Sequence, residues 1–275
     1  NGRFFYDDHN RLWQWRGVTS FRLYQRYLAN ESLNSLVDEY RFSGANLVRV
    51  LGMFDWQPQP FWPQQHTEYY ARLPEFASWL AAHGLRFEFV VFADAQHVMP
   101  TLAEQRAHVA QVEGQLRLLP NAFEELVNEY TQNGVDPTQH ACAVGILISR
   151  GSGGGEQDFP QPPCEYNTYH GRRDNMNDPI GKWVYDDLWW MYTNVANGDR
   201  PLIHDEPGGF DEVYQPGRRS NNPEAAFNLG AVTALFLEGG TYHCTACIES
   251  LMWGPIQKAS AMEFYRGFGD TARDR

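Results

Sequence analysis

The strongest constraint on the fold of this chain is a regular alternation between two kinds of segment. Short apolar runs rich in β-branched and aromatic residues are followed by longer segments whose apolar residues recur at spacings of three and four. The first pattern is typical of buried strands, and the second is typical of amphipathic helices. Their alternation predicts βα units that build a parallel sheet.

Eight such strands occur along the chain, and a short N-terminal β-hairpin is predicted before them at 3–15. The predicted strands cover 16–21, 45–51, 86–92, 123–130, 143–149, 166–170, 201–205 and 235–242. Helical spacing marks 33–40, 74–83, 101–119, 183–194 and 223–232. This α/β pattern in 275 residues predicts a single (β/α)8 TIM barrel over 1–275. A doubly wound open sheet is the alternative, but neither a G-x-G-x-x-G motif nor a P-loop supports it.

Charge and composition limit the partners that this chain can bind. Its 22 basic and 34 acidic residues give a net charge of −12, which repels a phosphate backbone and argues against nucleic acid. The longest apolar run, Ala141 to Ile148, is far shorter than the roughly 20 residues of a membrane span. The 14 Tyr and 9 Trp supply flat rings that stack on sugars as well as in cores. We therefore expect a carbohydrate substrate, with neither nucleic acid nor membrane as a partner.

Polar side chains gather at the predicted carboxyl ends of the strands, where a (β/α)8 barrel carries its active site. They are Arg49, Asp94, Asn128, Glu129, Ser149, Tyr169, His170, His204, Asp205, Glu206 and, beyond the last strand, Trp253. Glu129 and Glu206 stand at the ends of different strands. Two carboxyl groups across a cleft can cleave a glycosidic bond, because one protonates the leaving oxygen while the other attacks the sugar or activates water.

These residues resemble a known family. Asn128-Glu129 at the end of the fourth strand and Glu206 at the end of the seventh are similar to the catalytic positions of the retaining (β/α)8 glycoside hydrolases of clan A, the cellulase- and mannanase-like enzymes related to family 5. Trp15-Arg16-Gly17-Val18 resembles that group's entry into strand one, and Asn46-x-x-Arg49 resembles its second-strand motif. The resemblance implies a glycosidase that cleaves a β-glycosidic bond with retention.

The resemblance also implies a role for each matching residue. Glu129 would be the acid/base and Glu206 the nucleophile, while Arg49 would hold Glu206 ionised, since a nearby guanidinium lowers a carboxylate pKa by about 1 to 3 units. The other substrate-binding candidates are Asn128 for the sugar 2-hydroxyl, Tyr169 for the nucleophile, His170 and His204 as strand-end residues, and Trp253 beneath the cleaved sugar. No cofactor is required, and the His-x-His and His-Glu-x-x-His spacings of metal sites are missing from the sequence.

Other interpretations of the same residues are open. A barrel that has lost turnover would be a carbohydrate-binding or structural module of a larger surface or virion assembly. A metal-dependent barrel enzyme that uses His204 and Asp205 is a more remote alternative. Taken singly, Arg49 is alternatively a member of an ion pair in the core, and Glu129 is alternatively a solvated charge on a helix face. The start at Asn1 and the aromatic richness lead us to expect an extracellular or particle-associated protein.

Four further features of the sequence also leave questions open. Only Thr131 to His140 separate the fourth and fifth strands, so either the fourth helix is reduced to a turn or the fourth strand is misplaced. Asp205 competes with Glu206, because adjacent residues of a strand face opposite sides. The glycine-rich segment 151–155 is expected to form a flexible rim. Four cysteines permit disulfides without specifying their pairing.

Overall fold

The computed structural model of the chain is an eight-stranded parallel barrel, described over residues 4–56, 58–153, 164–170, 189, 200–206, 223–242 and 255–272. The strands are β1 (Trp15–Thr19), β2 (Leu47–Leu51), β3 (Arg86–Phe92), β4 (Ala122–Val127), β5 (Leu147–Ser149), β6 (Asn167–His170), β7 (Leu202–Glu206) and β8 (Gly239–Tyr242). Their order in the sheet is β5-β4-β3-β2-β1-β8-β7-β6, and each of these neighbours pairs in parallel. The predicted (β/α)8 fold is confirmed.

Contacts between β5 and β6 join the two strands at the ends of this order. The backbone amides of Glu165 and Tyr166 donate to the carbonyl of Ile148 at 3.0 and 3.4 Å. The hydroxyls of Ser149 and Thr168 lie 3.1 Å apart. The sheet is therefore nearly closed, so the carboxyl ends of its strands surround one opening.

The helices cover the outside of the sheet. They are α1 (Leu23–Leu28), α2 (Asn34–Ser43), α3 (Leu73–Ala82), α4 (Leu102–Leu116), α5 (Tyr130–Asn133), α6 (Pro223–Phe236) and α7 (Pro255–Ala272). The spacing did not indicate α1 or α7, and α6 continues to Phe236, so β8 begins at Gly239 rather than at residue 235. Of the helix predicted at 183–194, the structure describes only Trp189. Within the described ranges, no helix is long and apolar enough to cross a bilayer.

An aromatic plug fills the amino-terminal end of the barrel. Its buried members are Phe5, Trp15, Leu47, Phe123, Tyr166 and Ile203. The predicted N-terminal hairpin is present, with an antiparallel bridge between Tyr6 and Leu12, and it brings the ring of Phe5 to 5.7 Å from that of Phe123. Because apolar rings occupy this end, the polar residues further along each strand face the opposite end of the barrel.

The connection from β4 to β5 resolves one of the alternatives. It contains α5, a single turn of helix, and a further turn at Pro137–Gln139. The fourth helix is therefore reduced to a turn, and the fourth strand is correctly placed, although it ends at Val127 rather than at Tyr130. A disulfide between Cys142 and Cys164 links the connection before β5 to the segment before β6.

Residues 151–153 pack closely against the end of β4, and all three are buried. The amide of Tyr130 donates to the carbonyl of Ser152 at 3.2 Å, and the hydroxyl of Thr131 donates to the carbonyl of Gly153 at 2.8 Å. This part of the glycine-rich segment is thus a fixed portion of the barrel wall, not the flexible rim that we expected.

Gly151 should be among the least replaceable residues of this wall. Its φ is +90°, and a Cβ there would overlap the carbonyl of Val127. We expect Gly151→Ala to lower the free energy of unfolding by more than about 2 kcal/mol. Gly114→Ala, on the exposed face of α4 with open space around it, should instead raise it by about 0.5–1 kcal/mol. Urea unfolding of both variants measures these free energies. Equal changes in the two variants would contradict the close packing of Gly151 against Val127.

Candidate active site

Arg49 is the centre of a polar cluster at the carboxyl end of the barrel. It lies in the middle of β2, where alternation directs Leu47 and Arg49 into the interior, and its side chain is fully buried. Its guanidinium donates to Glu125 at 2.7 Å, to Glu206 at 2.8 Å and to Asn128 at 2.9 Å. One side chain thus orients groups on β4, after β4 and on β7.

The two glutamates predicted to be catalytic face each other across this cluster. A carboxylate oxygen of Glu129, a ring nitrogen of His170 and a carboxylate oxygen of Glu206 all lie within 4.8 Å of one another. The Nδ1 atom of His170 is 3.5 Å from Glu129 and 3.7 Å from Glu206. The side chain of Glu129 is 20% exposed and that of Glu206 is 3% exposed, so Glu129 lies nearer the opening.

The backbone after β4 presents Asn128 and Glu129 to this opening. Glu129 adopts a left-handed conformation, with φ +47°, immediately before α5. A non-glycine residue in this region is uncommon, and such strain persists only where surrounding contacts hold it. Here the side-chain amide of Asn133 donates to the carbonyl of Asn128, and the amide of Asn128 donates to Phe92. The strained turn aims the Glu129 carboxylate at the cluster.

A bulge in β7 explains why the sequence could not choose between Asp205 and Glu206. The register with β6 pairs Tyr169 with His204 but His170 with Glu206, so Asp205 is an extra residue on β7. An extra residue breaks the usual alternation of faces. Both carboxylates consequently reach the interior: Glu206 contacts Arg49, while Asp205 accepts a hydrogen bond from the hydroxyl of Thr241 at 3.2 Å.

Two predicted site residues lie on the other face of their strands. The ring of Tyr169 stacks on His204 at 5.4 Å, and the Nδ1 atom of His204 lies 3.5 Å from the hydroxyl of Thr233 on α6. Burial lowers the pKa of His204 to about 3, which keeps its ring neutral among the helices. The structure therefore does not bring Tyr169 and His204 to the carboxylate pair. Trp253 lies outside the described residues.

Three interior residues of the cluster were missed by the sequence analysis. Glu125 contacts Arg49 directly, and Glu88, in register with Arg49, lies 3.6 Å from it. The hydroxyl of Tyr166 is 2.7 Å from Glu88. The available signal was the two-residue period: Glu88 and Glu125 interrupt apolar strands at positions that the period assigns to one face.

The charges of the cluster fix the state of its central cation. Burial by itself lowers the pKa of Arg49, but the carboxylates around it, Glu125 foremost, outweigh burial and raise it. Burial also raises the pKa of Glu88 well above its ordinary value and raises that of Asp205 to about 7. Arg49 thus supplies a permanent positive charge to a site with more acids than bases.

Among the residues that the structure describes, two sets of donor atoms are close enough to hold a metal ion, namely Glu125 with His170 and Asp205, and Glu129 with His170 and Glu206. Arg49 already contacts carboxylates of both sets, at 2.6 Å for Glu125 and 2.8 Å for Glu206. A metal ion would compete with that guanidinium for the same oxygens. The arrangement is therefore that of an ion-pair network around Arg49.

An aromatic surface adjoins the cluster. The ring of Phe21 lies 5.6 Å from the guanidinium carbon of Arg49, and the half-buried indole of Trp56 lies 5.5 Å from Phe21. Asp94 accepts a hydrogen bond from Trp56 and interacts electrostatically with Glu129, and burial raises its pKa. An indole face beside a carboxylate can stack on a sugar ring and bind its hydroxyl groups.

Comparison with solved structures relates this fold to carbohydrate-active barrels. A subfamily 18 enzyme of glycoside hydrolase family 5 from Streptomyces cattleya, solved with GlcNAc, aligns with a TM-score of 0.65 at 12% identity, covering 93% of this chain and 80% of that one. A broad-specificity family 5 endoglucanase from Clostridium cellulovorans aligns with a TM-score of 0.60 at 10% identity, covering 93% and 94%.

A family 5 glycoside hydrolase from Bacteroides vulgatus aligns with a TM-score of 0.61 at 12% identity. The alignment covers 91% of this chain but 62% of that one, so this chain spans less than two thirds of that protein's length. The sequence matches no protein-family model and no curated protein. These similarities establish the fold of family 5 glycoside hydrolases for this chain.

Proposed function

We propose that this protein is a retaining glycosidase that hydrolyses a β-glycosidic bond in an oligo- or polysaccharide. The observation that carries the proposal is the separation of Glu129 and Glu206, whose nearest carboxylate oxygens lie within 4.8 Å. Retaining enzymes hold their carboxyl groups roughly 5–5.5 Å apart, whereas inverting enzymes leave about 6.5–9.5 Å for a water molecule. The family 5 fold of the structural neighbours supports the same reaction class.

In the first step, a carboxylate oxygen of Glu206 attacks the anomeric carbon, and the bond to the leaving oxygen breaks as Glu129 transfers its proton to that oxygen. In the second step, Glu129 removes a proton from water, which attacks the same carbon and releases Glu206 from the glycosyl ester. The hydrogen bond from Arg49 keeps Glu206 anionic and oriented. Glu129, the more exposed of the pair, can exchange protons with water.

Other residues around the pair would bind the substrate. The side-chain oxygen of Asn128 accepts from Arg49, which leaves its amide group to donate to a sugar hydroxyl. Trp56 and Asp94 would supply a stacking surface and a hydrogen-bond acceptor for a sugar beside the cleaved bond. His170, between the two carboxylates, would fix their relative position.

The disulfide between Cys142 and Cys164 supports placing this protein outside the cytosol, since such bonds persist in oxidising compartments. An extracellular or particle-associated glycosidase would meet polysaccharides there.

The test is a screen of β-linked glycans and aryl β-glycosides for reducing-sugar release, with the first product followed by proton NMR. We expect hydrolysis in which the product first appears with the anomeric configuration of the substrate. A first product of opposite configuration would contradict the retaining mechanism. Binding without hydrolysis across the panel would instead indicate a carbohydrate-binding module.

A further inference from the structure

A second layer of acids lies in the barrel beneath the catalytic pair. Arg49 faces four carboxylates: Glu125 at 2.6 Å, Glu206 at 2.8 Å, Glu88 at 3.6 Å and Asp205 at 3.9 Å. All are buried. Among the described residues, Arg49 is the guanidinium that contacts these acids, and one guanidinium cannot neutralise four buried anions. An unpaired buried charge is so costly that the group takes up a proton instead. The geometry shows which acids hold protons.

Glu88 is one of them, because of a conflict at the hydroxyl of Tyr166. This oxygen lies 2.7 Å from a carboxyl oxygen of Glu88 and 2.8 Å from the backbone carbonyl of Glu124. One phenolic proton cannot serve both acceptors. Both hydrogen bonds form if Glu88 is protonated and donates to Tyr166, which then donates to the carbonyl. Burial raises the pKa of Glu88 well above its ordinary value, in agreement with this assignment.

Asp205 is held differently, by a chain with a fixed direction. The indole nitrogen of Trp15, which can only donate, lies 3.1 Å from the hydroxyl oxygen of Thr241. The proton of Thr241 is therefore directed to Oδ1 of Asp205, 3.2 Å away. The Oδ2 atom makes no hydrogen bond within the described residues and lies 3.9 Å from Arg49. Asp205 thus has one oxygen fixed as an acceptor and one that gains or loses a proton facing Arg49.

We propose that Asp205 is a positioning residue that titrates beneath the catalytic pair and sets the upper pH limit of the proposed glycosidase activity, whereas Glu88 stays protonated throughout. The proposal rests on the proposed function, because it assigns Glu129 as the acid whose proton the activity requires. Within the part of the chain that the structure describes, the charged or titratable groups that face Asp205 are Arg49 on β2, Glu88 on β3, Glu125 on β4, and Tyr166 and His170 around β6.

The direction of the effect follows from the order of the titrations. Burial raises the pKa of Asp205 to about 7, so Asp205 is neutral at acidic pH and becomes negative as the pH rises through that value. The new negative charge makes loss of the Glu129 proton harder, which extends activity to higher pH. At acidic pH it is uncharged and does not affect Glu206. Asp205 therefore acts on the alkaline limb of the pH profile alone.

The experiment compares the pH dependence of kcat/KM for the wild type, Asp205→Asn and Glu88→Gln. Asp205→Asn should move the alkaline limb to lower pH by about one unit, the effect of a unit charge about 10 Å away at an effective dielectric of about 20. Its acid limb should stay in place. Glu88→Gln, which removes an acid from the same layer, should move neither limb. An unmoved alkaline limb in Asp205→Asn, or an equal shift in Glu88→Gln, would overturn the proposal.

A second measurement separates this inference from the proposed function. Difference infrared spectra of the unliganded protein, between pH about 5 and about 9, should show a buried carboxylic acid C=O band that disappears with rising pH and is missing from Asp205→Asn. The band's presence in that variant would refute the assignment even in an active enzyme. If the band behaves as expected in a protein that shows no glycosidase activity, the titration of Asp205 is supported and only the proposed function is refuted. If Asp205→Asn does not fold, Thr241→Val should move the band's midpoint upward.

Discussion

Replacing Glu206 by Gln is expected to reduce kcat/KM by about 10⁴- to 10⁶-fold, because the amide cannot form the glycosyl ester. Glu129→Gln is expected to cost about 10²- to 10⁴-fold on substrates with sugar leaving groups. Its cost should be much smaller in the first step on aryl glycosides, because a phenolate leaves without protonation. Steady-state and pre-steady-state kinetics on both substrate types measure these losses.

Glu124→Gln is the matched control for both variants. Glu124 is on β4, one residue before Glu125, and is in register with Phe89, which packs on Tyr24 of α1, so it faces the helices. Burial raises the pKa of Glu124 well above its ordinary value, so Gln replaces a neutral acid. Its kcat/KM should remain at the wild-type value. Unchanged turnover in Glu206→Gln or Glu129→Gln would remove that residue from the mechanism.

The fold was predictable because the two kinds of segment differ in the spacing of their apolar residues. The strands are short apolar runs, whereas the apolar residues of the helices recur at spacings of three and four. The strand Arg86–Phe92 has the predicted bounds. Gly84 marks the end of the helix before it, and the polar residue Asp94 follows it. The start of β8 was misplaced because α6 extends through most of the apolar run at 234–237 and ends at Phe236. Period alone cannot divide a continuous apolar run between a helix and a strand.

The candidate site was predictable to the level of strand ends but not of strand faces. Glu129, Glu206, Arg49, Asn128 and His170 were identified because polar residues after buried runs stand out in the sequence, and the structure brings these five together. The faces depend on register, which one bulge changes, and no local signal marks the bulge in β7.

The outward position of Tyr169 and His204 follows from the ordinary alternation of strand faces, since both precede the bulge. Both are strand-end polar residues, yet each is one position from the residue that enters the barrel. Glu88 and Glu125 were missed because they lie inside apolar strands rather than at strand ends. A continuous apolar pattern predicts a buried strand and does not indicate a function for an acid within it.

Arg49→Met is expected to lower the free energy of unfolding by about 3–5 kcal/mol near neutral pH, because it leaves buried carboxylates without their cation. Burial already raises the folded-state pKa of Asp205 to about 7 while Arg49 lowers it, so removing the guanidinium raises it further. A group with a raised folded-state pKa contributes stability at low pH and loses it as the pH rises through that pKa. The loss caused by Arg49→Met should therefore be small near pH 4 and large near pH about 8.

Arg26→Met supplies the control, because Arg26 pairs with Glu31 at 2.6 Å on the surface, where both side chains are partly exposed. Its cost should be below about 1 kcal/mol, since water solvates the remaining carboxylate. Denaturant unfolding of both variants at the two pH values gives the comparison. Equal losses for Arg49→Met at both pH values would mean that the ionised carboxylates around Arg49 do not depend on it for their charge. The role proposed for Arg49 toward the nucleophile would then fail, because the same guanidinium donates to Glu206 at 2.8 Å.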